Sequence, residues 1–184
     1  GANLSSVDLG TGRTAKAIAA NRVATCAILD NSSIKCWGKN NRGQLGQGNT
    51  NSLGDAGSEM GDNLDTVDLG SGRTATAIAG GGWHNCAILD NSSIKCWGIN
   101  SAGQLGIGST DDRGDGANEM GDNLPSIDLG TGRTATAIAA GGAHSCAILD
   151  NSAVKCWGKN DAGQLGLGDT NNRGDGANEM GDDL

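Results

Sequence analysis

The stretch Cys86-Ala-Ile-Leu-Asp-Asn-Ser-Ser-Ile-Lys-Cys96-Trp97-Gly98 decides the architecture of this chain, because it is written three times. The other copies start at Cys26 and Cys146, a step of 60 residues with no insertion or deletion, and only the last one varies, reading Ser-Ala-Val for Ser-Ser-Ile. Self-similarity at a fixed period marks a repeat architecture, in which one supersecondary unit is copied and stacked on its neighbours. The chain therefore divides into residues 1–64, 65–124 and 125–184.

Within a unit, a short apolar run, an Asp-Asn-Ser turn and a second apolar run spell a β-hairpin. If Asp30-Asn31-Ser32 is a three-residue loop, residue 29 faces 33 and Cys26 lies opposite Cys36. Cross-strand separations of about 4.5 to 5.5 Å there suit a disulfide. The same reading pairs Cys86 with Cys96 and Cys146 with Cys156. Zinc is the rival for these thiols, since His84 and His144 each precede a Cys by two residues. The first unit has Ala24 at that place, and no Cys-x-x-Cys occurs. Three local disulfides point to an oxidising compartment, hence an extracellular or cell-surface location. Thr74–Ala79 alternates as another strand, Gly103–Gly106 reads as a tight turn or strand edge, and Ser109–Leu124 as a long loop. No segment has sustained helical periodicity, so the unit is all-β.

Composition sets further bounds. The 184 residues include 33 Gly and four Trp but no Phe or Tyr, and the formal net charge is −8. Such a core is built from Ala, Ile, Leu and Val closely approached by glycine backbone. The acidic balance argues against nucleic acid and anionic membrane surfaces as partners. No apolar run approaches the roughly 20 residues that span a bilayer, so membrane insertion is not expected. The start at Gly1-Ala2 has neither an initiator Met nor a signal-peptide pattern and reads as processed or excised.

The string Gly-Gly-x-His-x-Cys-Ala-Ile-Leu-Asp-Asn-Ser-x-x-Lys-Cys-Trp-Gly-x-Asn-x-x-Gly-Gln-Leu-Gly-x-Gly, at Gly81–Gly108 and Gly141–Gly168, resembles the repeat of the regulator of chromosome condensation family. The first copy departs from it at Asn21-Arg22-Val23-Ala24. The resemblance implies a β-propeller of four-stranded blades, usually seven to a ring. It does not bring the family's nucleotide-exchange activity, because no residue here matches a catalytic wedge and fold alone does not confer function. Secreted bacterial relatives act as protein-binding modules, for instance as β-lactamase inhibitors, through varied aromatic side chains on one face. Here the repeated Trp37, Trp97 and Trp157 are expected to pack within their blades, which leaves Trp83 as the candidate partner anchor.

Other residues carry separate expectations. Asp111, Asp115, Glu119 and Asp122 offer carboxylates to a calcium ion, the one cofactor considered, although their spacing differs from that of the helix–loop–helix calcium site. Arg113-Gly114-Asp115 spells the integrin tripeptide, but a loop this rich in Gly and Asp favours a turn. Asn31 and Asn91 stand in glycosylation sequons at hairpin tips, and Asn151 has lost the signal. His84 and His144 are expected to hydrogen-bond within their own blades.

Three near-identical units give no asymmetric catalytic centre, so no enzyme is expected. A closed propeller takes about four to eight blades, more than three units supply, and Gly1-Ala2-Asn3-Leu4 has the same phase as Gly181-Asp182-Asp183-Leu184. The leading expectation is a non-enzymatic extracellular structural protein. It would assemble with itself head to tail into a filament, tube or surface layer, through Leu4–Leu9 of one copy and Cys146–Leu167 of the next. The alternative is a secreted recognition propeller that binds a protein or glycan through its loops.

Overall fold

Each unit folds as one antiparallel three-stranded sheet in a computed structural model that describes residues 5–184. Strands β1 (Ala15–Ala20), β2 (Ala24–Leu29) and β3 (Ile34–Gly38) form the first blade; β4 (Ala75–Gly80), β5 (His84–Leu89) and β6 (Ile94–Gly98) form the second; β7 (Ala135–Ala140), β8 (His144–Leu149) and β9 (Val154–Gly158) form the third. No α-helix occurs among the described residues; three 3-10 turns, Gly61–Asn63, Gly121–Asn123 and Gly181–Asp183, close the units. The expected end segment Gly1–Leu4 lies outside the described residues.

The hairpin forms as its sequence dictates. Leu29 N–H donates to the Ser33 carbonyl and Ser32 N–H to the Leu29 carbonyl, both at 2.9 Å. Ser32 takes the left-handed conformation at φ 65°, the geometry of a three-residue loop that ends in a bulge. Asn31 Oδ1 steadies the turn by accepting from the Ser33 N–H and hydroxyl. Counting back from the hydrogen-bonded Leu29–Ser33 pair, Cys26 and Cys36 meet at a non-hydrogen-bonded position, where opposed residues approach most closely. Their Cα atoms are 4.1 Å apart and bridged, as are those of Cys86–Cys96 at 4.1 Å and Cys146–Cys156 at 4.0 Å.

The four-stranded blade takes a reduced form. Three strands pair fully, and the fourth position holds a single bridge, Gly38 with Leu53, Gly98 with Arg113 and Gly158 with Arg173. The chain there is a run of Asp, Asn and Gly, poor strand formers, so the ladder stops after one residue. The rest of the loop is nonetheless pinned. Asp122 accepts from the Ser71 N–H and hydroxyl, and the buried Lys95 amine donates to the Leu69 and Gly121 carbonyls at 3.0 and 2.7 Å.

Alternation along β2 and β3 gives every blade two different faces. Cys26, Ile28, Ile34 and Cys36 point towards the following blade, where they pack with Leu69, Ala87, Leu89 and Trp97. Cys86, Ile88, Ile94 and Cys96 meet Leu129, Ala147, Leu149 and Trp157 in the same way. The apolar cores therefore lie between blades, and a lone unit would leave both of its faces wet.

Candidate functional site: the blade junctions and the loop face

The junction is built from the Trp-Gly-x-Asn-x-x-Gly-Gln-Leu-Gly-x-Gly motif. Asn100, fully buried, accepts from Leu105 N–H through Oδ1 and donates through Nδ2 to the Ser109 carbonyl, which holds the intervening chain as a tight loop. Gly103 N–H closes on the Asn100 carbonyl and Gly106 N–H on the Gly103 carbonyl, and the Gln104 side chain caps Ala102 N–H. Folded this way, the loop turns the Gln104 carbonyl outward to the next blade, where it accepts from Trp157 Nε1 at 3.1 Å and Ser145 Oγ at 2.9 Å. The Gln44 carbonyl accepts from Trp97 Nε1 at 3.0 Å and Asn85 Nδ2 at 2.8 Å. Gly48 and Gly108 N–H groups add bonds to the Gly114 and Gly174 carbonyls.

These contacts correct two expectations. Trp97 and Trp157 are fully buried, but they pack against the preceding blade rather than within their own, because they alternate with the cysteines along β6 and β9. The His84 imidazole bonds through Nε2 to Ser145 Oγ at 2.9 Å, across the junction and not inside its blade. His84 Nδ1 is buried with no hydrogen-bond partner among the described residues. Burial, with His144 nearby, pushes the His84 pKa down to about 4, so the ring is neutral at physiological pH. The Gly81 of the Gly-Gly-x-His motif makes room for this ring, since a Cβ there would lie 2.2 Å from His84 Cε1.

Asp111, Asp115 and Glu119 line one open pocket beside Asp112, and Asp122 lies apart from them. Glu119 Oε2 accepts from the N–H groups of Gly114, Asp115 and Gly116. Asp122 is committed to Ser71, whose hydroxyl and then N–H hold its pKa below the usual range. Burial, and then Glu119, raise Asp115, and Asp111 is exposed. Among the described residues no group of three or more His, Cys, Asp or Glu could hold a metal ion. Arg113-Gly114-Asp115 serves the junction through its backbone: a Cβ on Gly43 of the first blade would lie 2.5 Å from Asp115 N. Sequence reasoning missed this role, because only its spacing from the preceding turn hints at it.

At the end of the blades where β3 and β6 exit, the first unit's departure from the motif becomes visible. Arg22 N–H donates to the Gly82 carbonyl and Lys39 N–H to the Val23 carbonyl, which brings both chains beside Trp83. Lys39 Nζ lies 5.3 Å from the centroid of the part-exposed Trp83 ring, a cation–π contact. Arg22 and Lys39 are exposed, and so are Asn31 and Asn91 at their hairpin tips.

Stacked all-β blades of this kind, locked turn to tryptophan, define a β-propeller-type repeat protein. Sequence profiles of the regulator of chromosome condensation (RCC1) repeat match residues 15–44, 75–104 and 135–164, and also 96–148, and the chain belongs to that family. It is 38% identical over 96 residues to the human probable E3 ubiquitin-protein ligase HERC4, covering 52% of this chain and 8% of the ligase. To human HERC3 it is 38% identical over 101 residues, covering 55% of this chain and 9% of that one. The chain thus spans less than a tenth of these relatives. Among solved structures, Prp20p from Saccharomyces cerevisiae superposes with a TM-score of 0.65 at 20% identity, over 87% of this chain and 37% of that one. The yeast RCC1 (Prp20) bound to Kap60 gives 0.63 over 87% and 36%. No helix in the described residues is long and apolar enough to cross a membrane.

Proposed function

We propose that the chain is a non-enzymatic recognition module that binds a protein partner through the loop face around Trp83. The carrying observation is the placement of Trp83, the one tryptophan outside the repeated position, part-exposed under the Lys39 amine and flanked by Arg22. Aromatic and arginine side chains dominate binding hot spots. Prp20p, which shares the fold, is described with binding properties to Gsp1p and histones, and its Kap60 complex is a protein–protein one. That supports a protein as the class of partner. The side chains that titrate abnormally inside the blades, His84 and Lys95, both serve the scaffold. Screening a peptide array with the protein and with Trp83→Ala tests this reading. Loss of the bound set by tenfold or more is expected, whereas an unchanged set would place the interface elsewhere.

Three disulfides support an extracellular or cell-surface setting. Non-reducing peptide mapping of native protein should recover the three local pairs, and free thiols would remove the argument.

A second reading is self-assembly of the chain into a filament, tube or surface layer, and one observation favours it. The turn-to-tryptophan contact repeats from one junction to the next between near-identical units, the geometry of a stackable array. Electron microscopy of native material should then show uniform polymers; discrete particles at high concentration would count against it.

A further inference from the structure

The two internal junctions share a backbone on the loop face but not its side chains. In each blade the residue after β3, β6 or β9 donates its N–H to the preceding loop, Lys39 to Val23, Ile99 to Trp83 and Lys159 to Ala143. Arg22 and Gly82 N–H groups then reach the Gly82 and Gly142 carbonyls of the following blade. Between the first and second blades this frame carries Arg22, Lys39 and Trp83; between the second and third the same places hold Gly82, Ile99 and Ala143. Near-identical units thus become unlike at one spot.

The cations at that spot are free. Lys159, the counterpart of Lys39 in the third unit, is tied to Asp161 at 2.8 Å. The first unit has Asn41 where the third has Asp161, and Lys39 turns instead to the Trp83 ring. Elsewhere Arg13, Arg42, Arg73, Arg133 and Arg173 each hold a carboxylate. Among the described residues Arg22 and Lys39 have no such partner, on a chain with 21 Asp and Glu against 13 Lys and Arg.

We propose, building on the recognition reading above, that the partner segment taken at this junction is acidic: a stretch of polypeptide with Asp or Glu beside an apolar side chain. The Lys39 ammonium and the Arg22 guanidinium donate to its carboxylates in charge-assisted hydrogen bonds. The part-exposed Trp83 indole takes the apolar neighbour. Lys39 already rests over the ring before the partner arrives, so less side-chain freedom is lost on binding. Charge complementarity fixes where the segment lands, because a net charge of −8 repels it from the rest of the surface.

Selection from a random peptide library, carried out with the unmodified protein and with variants, tests the assignment. Peptides held by the unmodified protein and lost with Trp83→Ala should be enriched in Asp and Glu next to apolar residues. Arg22→Gln with Lys39→Gln should weaken them by about tenfold or more. Arg22→Glu with Lys39→Glu should turn the selected set towards Lys and Arg, a change that a folding defect does not produce. Arg22 and Lys39 are exposed and Trp83 part-exposed, so folding is retained and circular dichroism checks it. A Trp83-dependent set without acidic enrichment, or an acidic set that the charge-reversed variant still holds, would overturn the acidic segment and leave the recognition reading standing. A library that yields no Trp83-dependent peptide would overturn both.

Discussion

The indole nitrogen of Trp97 donates to the backbone carbonyl of Gln44 in the preceding blade, and Trp157 does the same to Gln104. A side chain near the end of one unit's hairpin thus reads the turn of its neighbour. The acceptor is main chain, so its position depends on the glycines and the buried asparagine that shape the turn rather than on the Gln side chain, which instead caps the turn internally.

Replacing Trp97 by Phe should remove one buried hydrogen bond while keeping most of the apolar contact. A loss of about 0.5–1.5 kcal/mol is expected, softened because Asn85 still donates to the same carbonyl. Trp37→Phe should be near neutral in dilute solution. Equilibrium unfolding in urea of the two variants separates them.

Gly106 and Gly166 share a left-handed φ, +67° and +73°, so Ala at either position costs about 1–2 kcal/mol in backbone strain. Only Gly106 also has Trp157 Nε1 2.7 Å from where the Cβ would sit. Gly106→Ala should therefore lose a further ~1–3 kcal/mol by overpacking. Equal melting temperatures for the two variants would show that the turn does not press on the tryptophan.

His84 gives the junction a pH dependence. Its folded pKa, about 4, lies below the unfolded 6.5, so the unfolded chain takes up the proton first. Its contribution is intact above about pH 6.5, falls as the pH drops towards 4 and levels off below that, with a total loss on the order of 3 kcal/mol. His84→Gln should flatten the stability profile between those limits, and a slope unchanged by the substitution would assign it to other groups.

Lys95 tests the pinning of the acidic loop. Burial lowers the pKa of its amine, opposed by Asp122 and Asp68, and the amine serves the Leu69 and Gly121 carbonyls. Lys95→Met should leave both carbonyls without that donor and cost about 1–3 kcal/mol. Faster amide hydrogen exchange around the Gly121–Asn123 turn is the local sign to look for.

The hairpin, its loop length and the pairing of Cys26 with Cys36 were legible from the Asp-Asn-Ser turn, because register in a short hairpin follows from the turn alone. The all-β repeat followed from the 60-residue step. Less was legible where partners are far apart in sequence. Trp97 and His84 looked like members of their own blades, since one unit's sequence does not say which of its faces meets a neighbour. The role of Arg113-Gly114-Asp115 was hidden for the same reason, as only its backbone is used. The fourth strand was expected from the family and is cut to one bridge by residues that do not favour a ladder. The basic flank of Trp83 arises from Arg22 and Lys39, which the fold brings in from another unit.

Hydrogen exchange of the four indole N–H protons, followed by NMR in dilute solution, tests the turn-to-tryptophan lock most directly. Slow exchange is expected for Trp97 and Trp157, which are buried and bonded to the Gln44 and Gln104 carbonyls, and fast exchange for Trp37 and Trp83. Four fast protons, or a Trp37 proton as protected as that of Trp97 in a monomeric sample, would contradict it.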